Sequence, residues 1–399
     1  MRLQSIPLAL LAMFTVASVA SAQSDQRLPV DIYNFLRVEY DDNVYTTGEG
    51  VAADKVESFK IIEQLELLFD TERNNTYFGV NYSPSFVYYE DRPDDSSDLN
   101  HQLDLILNQQ ISRRTKLQVK DTLRRAEEPG LVEDDVQIRK NNDFFYNSLN
   151  ANVETQVVPE KTSVRVDGRY AVMRYDEDDV ADASDYDQLT GGVDLIQVLA
   201  PNTTASGQVR YTTLDYETSF RDSDSVQVGA AFSKIFNPKF QADLRGGYEY
   251  RTADNAVEQD SHSPYVDGSL VFLPARDTRL TVGAGYSQDK SPVNTFALQR
   301  RARVYGSFSR PLSAALTLNL TGSYSMGDFD ADDATTLYDP ATDTDGDETV
   351  LQFSSRLSYQ VTVRNWIQAS YQYTELESDV RPDSDFDRNR VSLGWKYSL

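Results

Sequence analysis

From Ile32 to Leu399 the chain repeats one unit, a run of about ten to fourteen residues with alternating side-chain character, a connection, then another such run. Phe240, Ala242, Leu244, Gly246, Tyr248 and Tyr250 share one parity, against Gln241, Asp243, Arg245, Glu249 and Arg251. Leu316, Leu318, Leu320, Gly322 and Tyr324 stand in the same way against Thr317, Asn319, Thr321 and Ser323. The last run sets Val391, Leu393, Trp395, Tyr397 and Leu399 against Ser392, Gly394, Lys396 and Ser398. Period two is the geometry of a strand with one oily and one wet face, and a helical period of 3.6 fits none of these runs.

About eighteen such segments are counted, from 31–40 through 76–89 to 386–399, with sixteen as the alternative number. Their connections alternate in kind. Short ones carry Pro159, Pro201, Pro238, Pro274 and Pro311 at spacings of 42, 37, 36 and 37 residues, a repeat the size of one hairpin. Proline there needs no ladder hydrogen bond. Long ones are acidic, as in 90–98, 176–185 and 328–348. All short turns therefore lie at one end of the sheet and all long loops at the other. That sorting predicts a transmembrane antiparallel up-and-down barrel with short periplasmic turns and long extracellular loops.

The segment lengths agree, since a spanning strand needs about 9–11 tilted residues and globular strands mostly stop at five or six. Closure removes sheet edges that lipid cannot satisfy. A mean hydropathy of −0.52 excludes a bundle of apolar helices. The net charge of −25 argues against nucleic acid as a partner. Tyr216, Tyr248, Tyr250, Tyr286, Tyr324 and Tyr373 fall near the long-loop ends, and Phe236, Phe272, Phe308 and Trp366 near the short turns. They are expected to form two interfacial girdles.

Residues 1–22 read as a signal peptide, with Arg2 before an apolar stretch and Ala20-Ser21-Ala22 as the cleavage site. Residues 23–30 are then a short periplasmic segment and 31–399 the barrel, reached by export and cleavage and placed in a bacterial outer membrane. The final strand fits the segment by which barrel-assembly machinery recognises its clients, with Leu399 where Phe or Trp is usual. Lipid and lipopolysaccharide are the surrounding partners.

The first strand and loop read YNFLRVEYDDNVYTTGE, with the turn Asp41-Asp42-Asn43-Val44-Tyr45, and the chain ends NRVSLGWKYSL. With these ends the chain resembles the outer-membrane families called putative β-barrel porin type 2. The resemblance implies a barrel with a link to exopolysaccharide export, and supplies neither a substrate nor a catalytic group.

Wet-face positions nominate a pore lining: Arg165, Arg169, Arg210, Asp243, Arg245, Glu249, Arg301, Arg303 and Arg356. The arginines read either as a ladder for anionic sugars or as halves of cross-strand ion pairs that brace the wall. Asp343, Asp345 and Asp347 hint at a weak calcium loop, although their spacing fails the EF-hand pattern. No enzyme is expected and no cofactor is called for. There is no cysteine, and His101 and His262 are the only histidines, with no nucleophile motif beside either. Three functions stay open: a conduit or accessory for exopolysaccharide export, a general or solute-specific diffusion porin, and a structural or adhesive surface barrel.

Overall fold

The computed structural model describes residues 30–48, 55–92, 96–127, 142–218, 221–253, 260–293, 295–330, 345–380 and 384–399. The expected signal peptide, 1–22, and all of the expected periplasmic segment 23–30 except Val30, which opens the first strand, lie outside them. The strands are β1 (Val30–Asp41), β2 (Ser58–Arg73), β3 (Thr76–Tyr82), β4 (Ser85–Tyr89), β5 (Ser97–Gln110), β6 (Thr115–Ala126), β7 (Phe144–Val158), β8 (Thr162–Tyr175), β9 (Tyr186–Ala200) and β10 (Thr203–Tyr216). They continue with β11 (Ser223–Asn237), β12 (Phe240–Ala253), β13 (Ser261–Ala275), β14 (Thr278–Lys290), β15 (Leu298–Pro311), β16 (Leu316–Phe329), β17 (Gly346–Thr362), β18 (Asn365–Ser378) and β19 (Phe386–Ser398). Each pairs antiparallel with its neighbours in sequence, except that β3 and β4 do not pair with each other but each pair with β2 and β5, and β1 also pairs with β19, from Tyr33 opposite Ser398 to Asp41 opposite Arg390. The sheet is closed.

Nineteen pieces make eighteen staves, because β3 and β4 are one stave interrupted at Pro84. Tyr82 faces Leu67 and Ser85 faces Gln64, so the register against β2 does not slip. Proline has no N–H to give the ladder. Ser83 N still donates to Gln102 O at 2.8 Å, and the carbonyl of Pro84 itself accepts from Leu65 N at 3.1 Å. The stave spans the 76–89 read from the alternation.

The two parities separate as expected, except that Trp366, expected in the short-turn girdle, stands opposite Lys396 and takes the inward parity. Leu195, Val209, Phe232, Leu244, Leu270, Val304, Leu393 and Trp395 are exposed on the outside, a surface that only lipid tolerates at this extent. No described helix is long and apolar enough to cross a membrane, and the crossing is made by strands. The turns follow local chemistry. Glu160 and Asn202, each directly after a turn proline, take φ of 60° and 61°, and Asn74 takes 54°.

Two departures from the sequence reading lie at the extracellular end. The acidic connection 176–185 contains a short helix, α1 (Asp178–Ser184), where a loop was expected. Tyr216 is not a girdle residue. It shares the inward parity of Arg210 and is buried with Phe144, Tyr146, Ala171, Met173, Tyr186 and Leu214. Parity, which strand geometry enforces, overrides its height along the strand.

Candidate functional site

The inner wall of β7 to β10 is a chain of ion pairs. Arg165 binds Glu154 at 2.8 Å and approaches Asp194 at 3.7 Å. Arg210 meets Asp194 and Asp167, each at 3.1 Å. Room for this comes from Gly192, where an added Cβ would fall 2.7 Å from Asp167 Oδ2 and 2.8 Å from Arg210 Cγ. Arg169 donates to Tyr146 Oη at 3.0 Å and Ser148 Oγ at 3.2 Å. The cross-strand ion pairing considered for the arginines is therefore present at Arg165 and Arg210.

Farther round the wall, Arg245 lies 3.5 Å from Asp267. Glu249 accepts from Gln227 at 2.9 Å and from Arg251 at 3.2 Å. Arg301 pairs with Asp289 at 2.8 Å. Asp243 accepts from Gln241 at 2.9 Å. Arg303 stacks over Tyr305, 5.3 Å from the ring centroid. Arg356 stands in register with Asn319 and Ser370 and has no ion pair among the described residues.

Two cavities gather these groups. One of about 480 Å³ is lined by Arg169, Arg210, Arg245, Arg251, Lys290 and Arg301, with Asp167, Glu249 and Asp289 as its acids. Five arginines and one lysine thus face three carboxylates. A second, of about 560 Å³, is lined by Arg303, Arg388 and Arg390, together with Thr46 and hydroxyl and amide side chains, and its lining includes no carboxylate. The first holds Arg169, Arg210, Arg245, Glu249 and Arg301 of the nominated set, and the second holds Arg303. Arg165, Asp243 and Arg356 line neither of these two.

The mouth is narrowed by segments that the alternation did not reveal. Asp41, fully buried, accepts from Arg388 Nε at 2.9 Å and pairs with Lys60 at 2.7 Å. Asp42 accepts from Asn389 N at 2.7 Å and from its Nδ2 at 2.8 Å. Asn43 holds Thr47 through both amide atoms, at 2.8 and 3.0 Å, and reaches Asp387 O at 3.3 Å. Asp41-Asp42-Asn43, part of the turn that carried the family resemblance, thus locks the first strand to the last. The loop that follows is folded in far enough for Thr46 to line the second cavity.

On the opposite side, the cluster around Tyr186 and Tyr216 forms an aromatic shelf inside the barrel. Lys290 lies 3.5 Å from the centroid of Tyr186, and Arg221 sits 4.4 Å over Tyr216 while donating to Ser291 O. Val293 and Phe296 pack with Phe329 and Val380, so the connection after β14 is pulled over the mouth. The signal for the shelf was available: at Phe144-Phe145-Tyr146 and Ala171-Val172-Met173 both parities are apolar.

Above β5 and β6, Arg92 pairs with the buried Asp98 and reaches Glu127 at 3.2 Å. Burial, reinforced by a hydrogen bond and the charge of Asp98, pushes the Glu127 carboxyl up to about 8 against the pull of Arg92. Asp185, just after α1, is also raised, first by burial, with the Tyr175 N–H and Arg174 opposing.

Among the described residues no group of three or more His, Cys, Asp or Glu is placed to hold a metal ion. Of the calcium candidates, Asp343 lies outside the described residues, while Asp347 faces Asp328 across the β16–β17 ladder. The histidines are not in the lumen. His262 lies beside Tyr248, with ring centroids 5.9 Å apart, and His101 Nδ1 is 2.8 Å from Tyr82 Oη, both on the outward parity.

A closed eighteen-strand wall with a charged interior is the architecture of a porin, and the comparison with family models agrees. The model described as "Putative beta-barrel porin 2" matches residues 35–398. The chain belongs to this porin family. It is accordingly a porin-family protein of the bacterial outer membrane. A search of curated protein sequences finds no match. Among solved structures, it is similar to a BenF-like porin from Pseudomonas fluorescens Pf-5, with 12% identity and a TM-score of 0.50 over 93% of this chain and 99% of that one. It is also similar to Pseudomonas aeruginosa OccK2 (OpdF), crystallised with glucuronate, at 11% identity and a TM-score of 0.48 over 93% and 98% of the two chains. Acinetobacter baumannii OccAB4 gives 12%, 0.46, 94% and 100% for the same quantities. At these identities the likeness concerns the fold.

Proposed function

We propose that this porin is a diffusion channel for small hydrophilic solutes that carry negative charge. The observation behind the reading is the sign of the lumen. The whole chain has a net charge of −25, yet one cavity sets five arginines against three acids, and the other is lined by Arg303 and Arg390 with no carboxylate, its third arginine, Arg388, being held by Asp41. Low-dielectric walls focus such a field, and lumen charges select what passes. The acidic outer loops act over only about 10 Å at 0.1 M salt, so they do not cancel it at depth. Cavities of this size suit a solute of one or two rings.

Reconstitution in planar bilayers tests the reading. Under a salt gradient the reversal potential is expected to show anion over cation preference, and Arg169→Gln with Arg245→Gln is expected to reduce it. Small carboxylated sugars and dicarboxylates are expected to interrupt the current. Cation preference, or a reversal potential unmoved by the substitutions, refutes it. The polysaccharide conduit implied by the family resemblance enters the same experiment, because a long anionic polymer that blocks where its monomers fail supports export instead. A pore that never conducts supports a structural or adhesive role.

A further inference from the structure

The outward face is not uniform around the barrel. Partners across a ladder share a face, so outwardness passes from Trp395 to Leu36 to Glu63 to Phe86 and on to the exposed Leu99. In the twelve staves β8 to β19, outward positions four or more residues from either strand end hold Val, Leu, Phe, Tyr, Gly and Ala, with Ser355 the one exception. The six staves from β1 to β7 differ. By the same criterion they carry Glu63 between Ile61 and Leu65, His101 between Leu99 and Leu103, and Asp121 between Val119 and Leu123. Each has one hydrogen-bonding neighbour on that face: Asn34 to Glu63 at 2.9 Å, Tyr82 with His101 at 2.8 Å, and Asn147 to Asp121 at 2.8 Å.

Acyl chains offer such groups nothing, and ionisable side chains at membrane depth mark functional surfaces. A carboxylate takes about four hydrogen bonds, whereas Glu63 and Asp121 each have a single side-chain donor. Glu63 is only 6% exposed, so the groups left facing outward are His101 and Asp121. The sector holds donors and acceptors together, which is what contact through the same patch on two copies requires. Six staves about 4.8 Å apart, under an apolar band about 25 Å tall, offer roughly 700 Å². A stable pair of proteins covers about 800 Å² on each partner.

We infer that the β1–β7 wall is an interface between copies of this chain within the membrane. The native sequence has no cysteine, so single cysteines report cleanly. Full-length barrels carrying Leu103→Cys or Val119→Cys are expected to cross-link on oxidation in nanodiscs, while Leu195→Cys and Leu270→Cys on the apolar wall do not. Native mass measurement is expected to give more than one chain per particle. The double variant His101→Leu with Asp121→Leu is expected to weaken association at least tenfold while conductance and heat-modifiable migration stay those of a folded barrel. One chain per particle with no patch-specific cross-link overturns the inference. So does an association equally strong in the double variant, or a purified chain that stays single while Leu103→Cys captures a different protein in native membranes.

Discussion

Removing one carboxylate from the closing seam should unlatch the barrel without touching its hydrophobic face. Asp41 is fully buried, and its oxygens serve Arg388 from β19 and Lys60 from β2, with Asn43 N donating to Oδ1 at 3.1 Å. Arg388 and Lys60 side chains are only 3% and 1% exposed. In Asp41→Asn these two cations lose their shared anion, and the remaining carboxylate noted beside Lys60 is Glu39 at 3.8 Å. Removing one partner of a buried ion pair costs about 3–5 kcal/mol, because water cannot reach the charge left behind. Exposed pairs are worth about 0–1 kcal/mol, and Arg125–Asp176, with side chains 54% and 50% exposed, is the internal control. The assay is reversible urea unfolding in lipid vesicles followed by tryptophan emission, since Trp395 lies on the seam strand opposite Leu36. The expected order is a loss of about 3–5 kcal/mol for Asp41→Asn, under about 1 kcal/mol for Arg125→Gln, and partial recovery on adding Lys60→Met. A loss for Asp41→Asn no larger than for Arg125→Gln would refute the claim that this contact holds the cylinder shut.

Leu244→Arg places a charge on the outward, lipid-facing parity; the same vesicle titration should register about 2–4 kcal/mol, and a smaller change than for the inward Asp243→Ala would contradict the assigned faces. Glu127 should make stability depend on pH. Its carboxyl titrates near 8 when folded against 4.5 in the free side chain, so the folded chain keeps a proton that the unfolded chain releases. Stability from this group is intact below about 4.5 and lost as pH climbs through about 8. Unfolding midpoints collected from pH 5 to 8.5 should fall more for wild type than for Glu127→Gln, and parallel profiles would remove Glu127 as the cause.

Much of this molecule is local information. Stave number, order and facing follow from period two because each strand position must choose lipid or lumen, and that choice is written in its own side chain. Even the interruption at Pro84 leaves the reading intact, since a missing N–H does not shift parity. Tyr216 shows where the method fails: its place near a loop suggested a girdle, whereas its parity put it inside with Tyr186. The Asp41-Asp42-Asn43 turn was legible as a family mark but mute about its task, because its partners Arg388 and Asn389 lie 347 residues away.

By itself, then, the order of amino acids determined a cylinder of eighteen alternating staves with its oily side out, since neighbours two apart along one strand carry that message. Tertiary structure alone decided which wet-face charges share a cavity, which loops close over the mouth, and which sector of the outer wall is polar. Those properties are relations between residues tens to hundreds of positions apart, and no local pattern encodes a relation that only closure creates.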